Sequence, residues 1–454
     1  MDTETRLASQ NSFFKSGQTK SVVLKKKCLK KLLSKIITYE DKISEALHKD
    51  FKKPNFETYA TEILFVKKEL KLTIKNLAKW SKPKSVRPSL LNFPSRDFIY
   101  QQPYGCVLVI SPWNYPFQLA LSPTIGAVAA GNTVVLKPSE HAPHTSSLLQ
   151  KIISEVFEPH HVCCVEGDAE VAKELLSHRW DYIFFTGSSN VGKIIATAAA
   201  KNLTPTTLEL GGKNPCVVHK DANVKLSAKR IAWGKFVNAG QTCIAPDYLL
   251  VHSKIKDALV KELQNEIIRF YGQNPQQSDD FARVINTTHF DRLQSLLEQQ
   301  TVLIGGETNA DDLYIAPTVV NAPTLDSAVM QDEIFGPILP ILSYADEDEI
   351  DSIINRYEKP LAFYVFSSSN DFSQKLLRSY SFGGGAVNDV MVQFVNDRLP
   401  FGGIGHSGLG AYHGKHTFDT FSHQKAVTKR GTWLDVPLRY APYNGKLKWL
   451  KRFF

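Results

Sequence analysis

The chain has 454 residues, 43% of them hydrophobic and 22% charged, which excludes a disordered or collagen-like polymer and leaves room for two or three domains. Its net charge of +9 first suggests nucleic acid or an anionic membrane as partner. That charge is peripheral: residues 1–90 carry +12 and residues 425–454 carry +7, so 91–424 stand at −10, which argues against a nucleic-acid enzyme.

In chain order, the first eighty residues predict helices. Leu29, Leu32, Leu33, Ile36 and Ile37 recur at helical spacing among lysines, and Tyr59, Ile63, Val66, Leu70, Ile74 and Leu77 do so further on. The lysines between them read as a solvated outer face. The pattern stops near Trp80, and SKPKSVRPSLLNFPS, with three prolines, predicts an extended connector. Residues 98–136 hold no charged residue and imitate a membrane span. Pro103, Pro112, Pro116, Pro123, Gly126, Gly131 and Asn132 interrupt them, however, and buried strands and turns fit better.

From Tyr100 onward, short apolar runs end in turns. Residues 107–110 lead to SPWNYP, 133–136 to KPSE and 182–185 to TGSSNVG, and helical runs such as 191–200 follow. Strand, turn and helix in alternation predict an open, mostly parallel α/β sheet with ligands at the carboxyl ends of its strands. A second α/β block runs from NPCVVH to about Asn396, followed by the glycine-rich LPFGGIGHSGLGAYHG and the basic tail. The six cysteines form no C-x-x-C pair and no disulfide framework, which points to a reducing compartment. No His/Cys pairs recur at ligand spacing, so no metal is expected. The opening MDTETRLASQ lacks the apolar core of a signal peptide, and a cytoplasmic protein is expected.

Two glycine patterns compete for phosphate binding. GIGHSG at 403–408 matches G-x-G-x-x-G in form, but no clear strand precedes it and no helical pattern opens after it. GSSNVG at 187–192 fails the fingerprint yet lies between a strand and a helix, where backbone N–H groups face a pyrophosphate or simply cap the helix. Cys243, in GQTCIA, is either a small buried hydrophobe or a partly exposed thiol, the second favoured by Gly240, Gln241 and Thr242 beside it. Glu209, in LELGG, stands either on a solvent face or in a semi-apolar pocket that raises its pKa. Asn114 follows Ser111-Pro-Trp and reads alone as turn chemistry.

Taken together, SPWNYP, KPSE, FTGSSNVG, LELGGKNP, GQTCIA, EIFGP and PFGG, in this order and spacing, resemble the aldehyde dehydrogenase superfamily from about residue 20 to about residue 425. GQTCIAPDYLL, AYHGKHTFDTFSH and the short N-terminal region are similar to its class 3, the branch of dimeric and fatty-aldehyde enzymes. The resemblance implies a Rossmann-type coenzyme domain (1–82 and 103–208, with the N-terminal helices), an α/β catalytic domain (209–396), and bridging and oligomerisation segments (83–102 and 397–454). It also implies NAD(P)-dependent oxidation of aldehydes to carboxylic acids, with medium- or long-chain aliphatic or aromatic aldehydes as substrates and a homodimer as the assembly. Cys243 is then the nucleophile, passing through a thiohemiacetal and a thioester. The Asn114 amide and the Cys243 N–H hold the oxyanion, and Glu209 activates the hydrolytic water. Glu333 and Phe335 meet the nicotinamide half of the coenzyme, Lys137 and Glu140 the adenosine ribose, and Gly187, Ser188 and Gly192 form the pyrophosphate loop. A carboxylate at Glu140 favours NAD, with some use of NADP. His406 and Asn190 depart from the class 3 pattern.

Two other readings stand beside this one: a CoA-acylating relative, against which Glu209 counts, and a catalytically silent binding or structural relative, against which the intact Cys243, Glu209, Asn114 and Glu333 count. The tail at 445–454 interleaves basic residues with Leu447, Trp449, Leu450, Phe453 and Phe454. It either lies on an anionic membrane surface, packs on a neighbouring subunit or frays in solvent.

Overall fold

The computed structural model describes residues 2–453 except 90, 91, 299 and 323. Its N-terminal region is helical, through Thr3–Lys15, Val22–Thr38, Glu40–Phe51 and a final run from Asn55 to Trp80. The first two begin on side-chain caps, with Asp2 and Ser21 accepting from the Thr5 and Leu24 N–H groups. Leu29, Leu32 and Ile36 are fully buried, as the helical spacing predicts, while Ile37 falls on the outer edge. In the last run a five-residue π-turn, Tyr59–Ile63, interrupts the α-helix. Ile63, Val66, Leu70 and Leu77 face the core, but the wide turn carries Tyr59 outward, 42% exposed. Lys25 and Lys53 also depart from the expected solvated face, and both are buried.

The connector is more ordered than its prolines suggest. Lys84–Val86 pairs antiparallel with Ser95–Pro103, which pairs in turn with Ser422–Arg430 from the far end of the chain. The uncharged stretch also holds an element that sequence reading missed, the helix Pro116–Ala130, buried at every position. An all-round apolar helix has no periodicity to betray it. Among the described residues no helix is long and apolar enough to cross a membrane.

Two larger sheets build the rest. The first has six strands in the order Gly408–Leu409, Thr206–Glu209, Tyr182–Thr186, Cys106–Ile110, Thr133–Lys137 and Val162–Cys164, parallel except for the first. The second has seven, in the order Thr301–Ile304, Thr318–Asn321, Ile338–Tyr344, Tyr248–His252, Pro215–Val218, Ala362–Phe366 and Gly384–Val387. It too is parallel but for its first strand. This is the aldehyde dehydrogenase-like α/β architecture that the motifs imply. Residues 403–408 open no helix; Gly408 lies antiparallel to Glu209, and the turn before it is so tight that a Cβ on Gly403 would sit 2.0 Å from the Ser407 oxygen.

The two sheets meet with opposite polarity. Asn114, Gly187 and Glu209 stand at or just beyond the carboxyl ends of first-sheet strands, whereas Cys243, Glu333 and Phe335 precede the amino ends of second-sheet strands. The site therefore forms between them.

Candidate active site

A cavity of about 800 Å³ separates the sheets, and Asn114, Gly187, Ser188, Glu209, Cys243, Glu333 and Phe335 all line it. Lys137, Glu140 and Gly192 are not on its wall. Lys137 ends the strand next to Cys106–Ile110, and its ammonium lies 2.7 Å from the Glu140 carboxylate. Burial works to raise the Glu140 pKa, but the Lys137 ammonium outweighs it and holds the carboxyl below its ordinary range. Gly192 lies in the helix Ser189–Ala200, where a Cβ would meet Leu210 at 2.6 Å, so it allows close packing of helix on strand.

Cys243 is half-buried at the end of an unusual turn. Asn238, Ala239 and Gly240 all have left-handed backbones, with φ of +56°, +51° and +72°. Such a run survives only where its surroundings fix it. Gly240 leaves no room for a side chain, since a Cβ would stand 2.3 Å from the Gly336 oxygen. The buried Gln241 side chain donates to the Asn238 and Arg283 carbonyls and accepts from the Ile285 N–H. Asn214 donates to the Cys243 carbonyl at 2.7 Å. Burial and the Glu333 and Glu209 carboxylates push the Cys243 thiol well above its usual range, while the Cys243 and Ile244 N–H groups pull the other way. Burial thus favours the neutral thiol over the thiolate.

The Asn114 side chain is buried and donates to the Gln241 carbonyl at 3.1 Å, which fixes its plane and leaves its second N–H for another acceptor. Glu209 is 2% exposed, and neither carboxylate oxygen has a hydrogen-bond partner in the described structure. Burial pushes its pKa well above 4.5. The semi-apolar pocket, rather than the solvent face, is what the structure shows. Glu333 rises to about 8 through burial and the nearby Asp247 carboxylate, opposed by the Gly212 N–H, Lys213 and Lys235. Its carboxylate occupies the space that a Cβ on Gly211 would fill.

The first sheet supplies a cradle for an anionic group. Ser188 caps the helix Ser189–Ala200, and the Gly187 N–H is tied to the Glu209 carbonyl at 3.0 Å. A Cβ on Gly187 would strike the Phe185 ring, so only glycine fits that turn. Phe335 meets Trp113 edge-to-face at 5.3 Å across the cavity from this loop. Among the described residues no group of three or more His, Cys, Asp or Glu is placed to hold a metal ion.

Several supporting residues had no assigned role in the sequence reading. Lys213 reaches Asp247 at 2.6 Å and the carbonyls of Val329 and Asp332, tying the segment before Glu333 in place. The Tyr115 hydroxyl bonds Thr242 at 2.7 Å, and Lys235 is buried near Asp247 and Glu333. The sequence VNAG, with Asn and Gly at left-handed positions, was the available signal for the turn.

Comparison with known proteins agrees with this geometry. The model of the Aldehyde dehydrogenase family matches residues 2–427. A Staphylococcus aureus protein named 4,4'-diaponeurosporen-aldehyde dehydrogenase is 47% identical over 99% of this chain and 99% of its own. Mouse aldehyde dehydrogenase family 3 member B2 is 45% identical over 97% and 92%. A solved structure described as the substrate-bound state of Staphylococcus aureus AldH superposes with a TM-score of 0.98, at 46% identity and full coverage of both chains.

Proposed function

The chain belongs to the aldehyde dehydrogenase family, as an NAD(P)-dependent, non-acylating enzyme of class 3 type that oxidises aldehydes to carboxylic acids, and on that premise we propose the following roles for its residues. The observation that carries the assignment is the convergence of the Cys243 thiol, the Asn114 amide and the unpartnered Glu209 carboxylate on one cavity.

The Cys243 thiol first gives up its proton to solvent; the thiolate sulfur then bonds to the aldehyde carbon, and the carbonyl π electrons move onto oxygen as an oxyanion in reach of the Asn114 amide and the Cys243 N–H. Bound NAD would supply the hydride acceptor for that carbon, and Cys243 would then carry the acyl group as a thioester. Glu209 takes a proton from water as the water oxygen bonds to the thioester carbon; the C–S bond then breaks, releasing the carboxylic acid and the thiolate. The coenzyme would be held by Gly187 and Ser188 at its pyrophosphate, by Glu333 and Phe335 at its nicotinamide half, and by Lys137 and Glu140 at its adenosine ribose. Gly192 serves that loop through packing. The start of the helix Ser189–Ala200 beside Gly187 and Ser188, on the cavity wall, supports this fit.

The far wall of the cavity carries Phe65, Leu119, Trp233, Met391, Phe394 and Phe401, which suits medium- or long-chain aliphatic or aromatic aldehydes. The expected result is kcat/KM rising with alkanal chain length, with free acid as product whether or not CoA is present. A flat or falling series would overturn the substrate class. With NAD preferred, Glu140→Ala should raise kcat/KM for NADP relative to NAD about tenfold, since a carboxylate there repels a 2′-phosphate. Initial rates with each coenzyme check this, and a wild-type preference for NADP would refute it.

The exposed edge strand Ser422–Arg430 supports a homodimer in which a second copy covers unpaired main-chain groups. The tail forms a helix, Lys446–Phe453, with Leu447, Trp449 and Leu450 exposed between basic residues; Phe454 lies outside the described residues. This favours peripheral contact with an anionic membrane by a cytoplasmic enzyme. Full-length protein should co-sediment with anionic liposomes and a chain ending at Asn444 should not; equal sedimentation would refute the contact.

A further inference from the structure

Beneath the two loops that carry Asn114 and Cys243 runs the N-terminal segment from Phe51 to Ile63. It reaches the site through buried charge. Lys53 and Glu62 form an ion pair of 2.7 Å that excludes solvent completely, and the Lys53 ammonium lies 4.0 Å from the centre of the Tyr115 ring. The other Glu62 oxygen accepts from the Phe117 and Gln118 N–H groups, so it caps from outside the helix that starts after Asn114. Tyr115 continues to Thr242, next to Cys243.

Glu57, one turn earlier, takes the more consequential contact. Its carboxylate accepts the backbone N–H of Asn238 at 2.9 Å, in the first residue of the left-handed turn. The Asn238 side-chain amide in turn donates to the Asn114 carbonyl at 2.9 Å and to the Gln241 carbonyl at 3.1 Å. The Gln241 carbonyl is also the acceptor that orients the Asn114 amide. One backbone residue thus joins both halves of the oxyanion site, and one carboxylate from another element holds it. A left-handed backbone at Asn238 and Ala239 persists only where its surroundings fix it, and Glu57 supplies part of that hold.

We propose that Glu57 is a positioning residue for aldehyde oxidation: through Asn238 it sets the Asn114 amide and the Cys243 loop in the mutual geometry that the oxyanion requires. The proposal rests on the roles given above to Asn114 and Cys243. Glu57 does not touch the substrate; it acts through the turn. A displacement of about 1 Å at such a site lowers rate by roughly 100-fold.

The test is a double-mutant cycle read by the pre-steady-state rate of NADH formation. Glu57→Ala should lower that rate roughly 10- to 100-fold, with little change in the Kd for NAD. Glu57→Asp, which keeps the charge but loses reach, should fall in the same direction and guards against loss of folding in the alanine variant. Glu57→Gln, which keeps an acceptor oxygen, should restore most of the rate. In an Asn114→Ala background the Glu57 substitutions should cost clearly less than in wild type, because one of the two groups they align is gone and only the Cys243 loop is left to be displaced. Full additivity of the two losses, or a wild-type rate in folded Glu57→Ala or Glu57→Asp enzyme, would overturn the proposal. A wild-type rate in Asn114→Ala alone would instead remove the assumed oxyanion role, a separate failure.

Discussion

Replacing Cys243 by alanine is expected to abolish aldehyde oxidation, a fall in kcat of at least about 10⁴-fold, because Cys243 is the only thiol among the described residues lining the cavity. Folding should survive the change. The sulfur faces the cavity at the edge of the core rather than inside it, and Ala is small enough for the turn that Gln241 and Asn214 hold. NAD should still bind and still raise Tm, since the cradle at Gly187 and Ser188 belongs to the other sheet. Initial rates, together with thermal melts at rising NAD, check both halves of the expectation. Residual turnover above about one percent of wild type would mean that another residue carries the acyl group.

Replacing Glu209 by glutamine should separate the two halves of the reaction. Burial already favours the neutral acid at this position, and glutamine is close to it in shape and charge, so the fold should be indifferent. The first turnover should then proceed and release one NADH per site, while steady-state kcat falls roughly 10²- to 10⁴-fold for want of the base. Intact-mass measurement during turnover should find the acyl group on the enzyme. The sign of the pH effect follows from the direction of the shift. Only the ionised carboxylate accepts a proton from water, and a raised pKa moves its appearance to higher pH. Wild-type steady-state turnover should therefore increase with pH across a range well above that of an ordinary carboxylate, and the glutamine variant should lose that limb. A variant with wild-type kcat and no acyl-enzyme would assign water activation elsewhere.

Much of this was legible in the chain. Alternating strands and turns from Tyr100 onward announced the first sheet, because a buried parallel strand is a short apolar run and its turns carry Pro, Gly and Asn. GQTC and LELGG pointed to a nucleophile and a base only through the resemblance of the whole motif set; taken alone, Cys243 also read as a small buried hydrophobe and Glu209 as a solvent-face carboxylate. What stayed hidden was of two kinds. The helix Pro116–Ala130 is apolar on every face, so periodicity could not distinguish it from strands. The contacts of Glu57, Gln241 and Lys213 bridge residues 181, 42 and 34 positions apart, and sequence spacing carries no information about such pairs. His406 shows the same limit: its departure from the class 3 pattern was visible, but the approach of its Nδ1 to the Glu358 carboxylate at 2.9 Å was not.

The π-turn at Tyr59–Ile63 has a consequence for how the N-terminal helix serves the site. An α-helix advances about 100° per residue, so groups five positions apart normally diverge by some 140°. Glu57 and Glu62 are five apart, yet both reach inward, one to the Asn238 N–H and the other to the Phe117 and Gln118 N–H groups. A turn that closes on the fifth residue, as the Leu64 N–H does on the Tyr59 carbonyl, brings that spacing back onto one side. The extra residue is thus a phase correction. Were residues 59–63 wound as plain α-helix, Glu57 and Glu62, still five apart, would point some 140° apart, and only one of them could meet the two loops that carry Asn114 and Cys243.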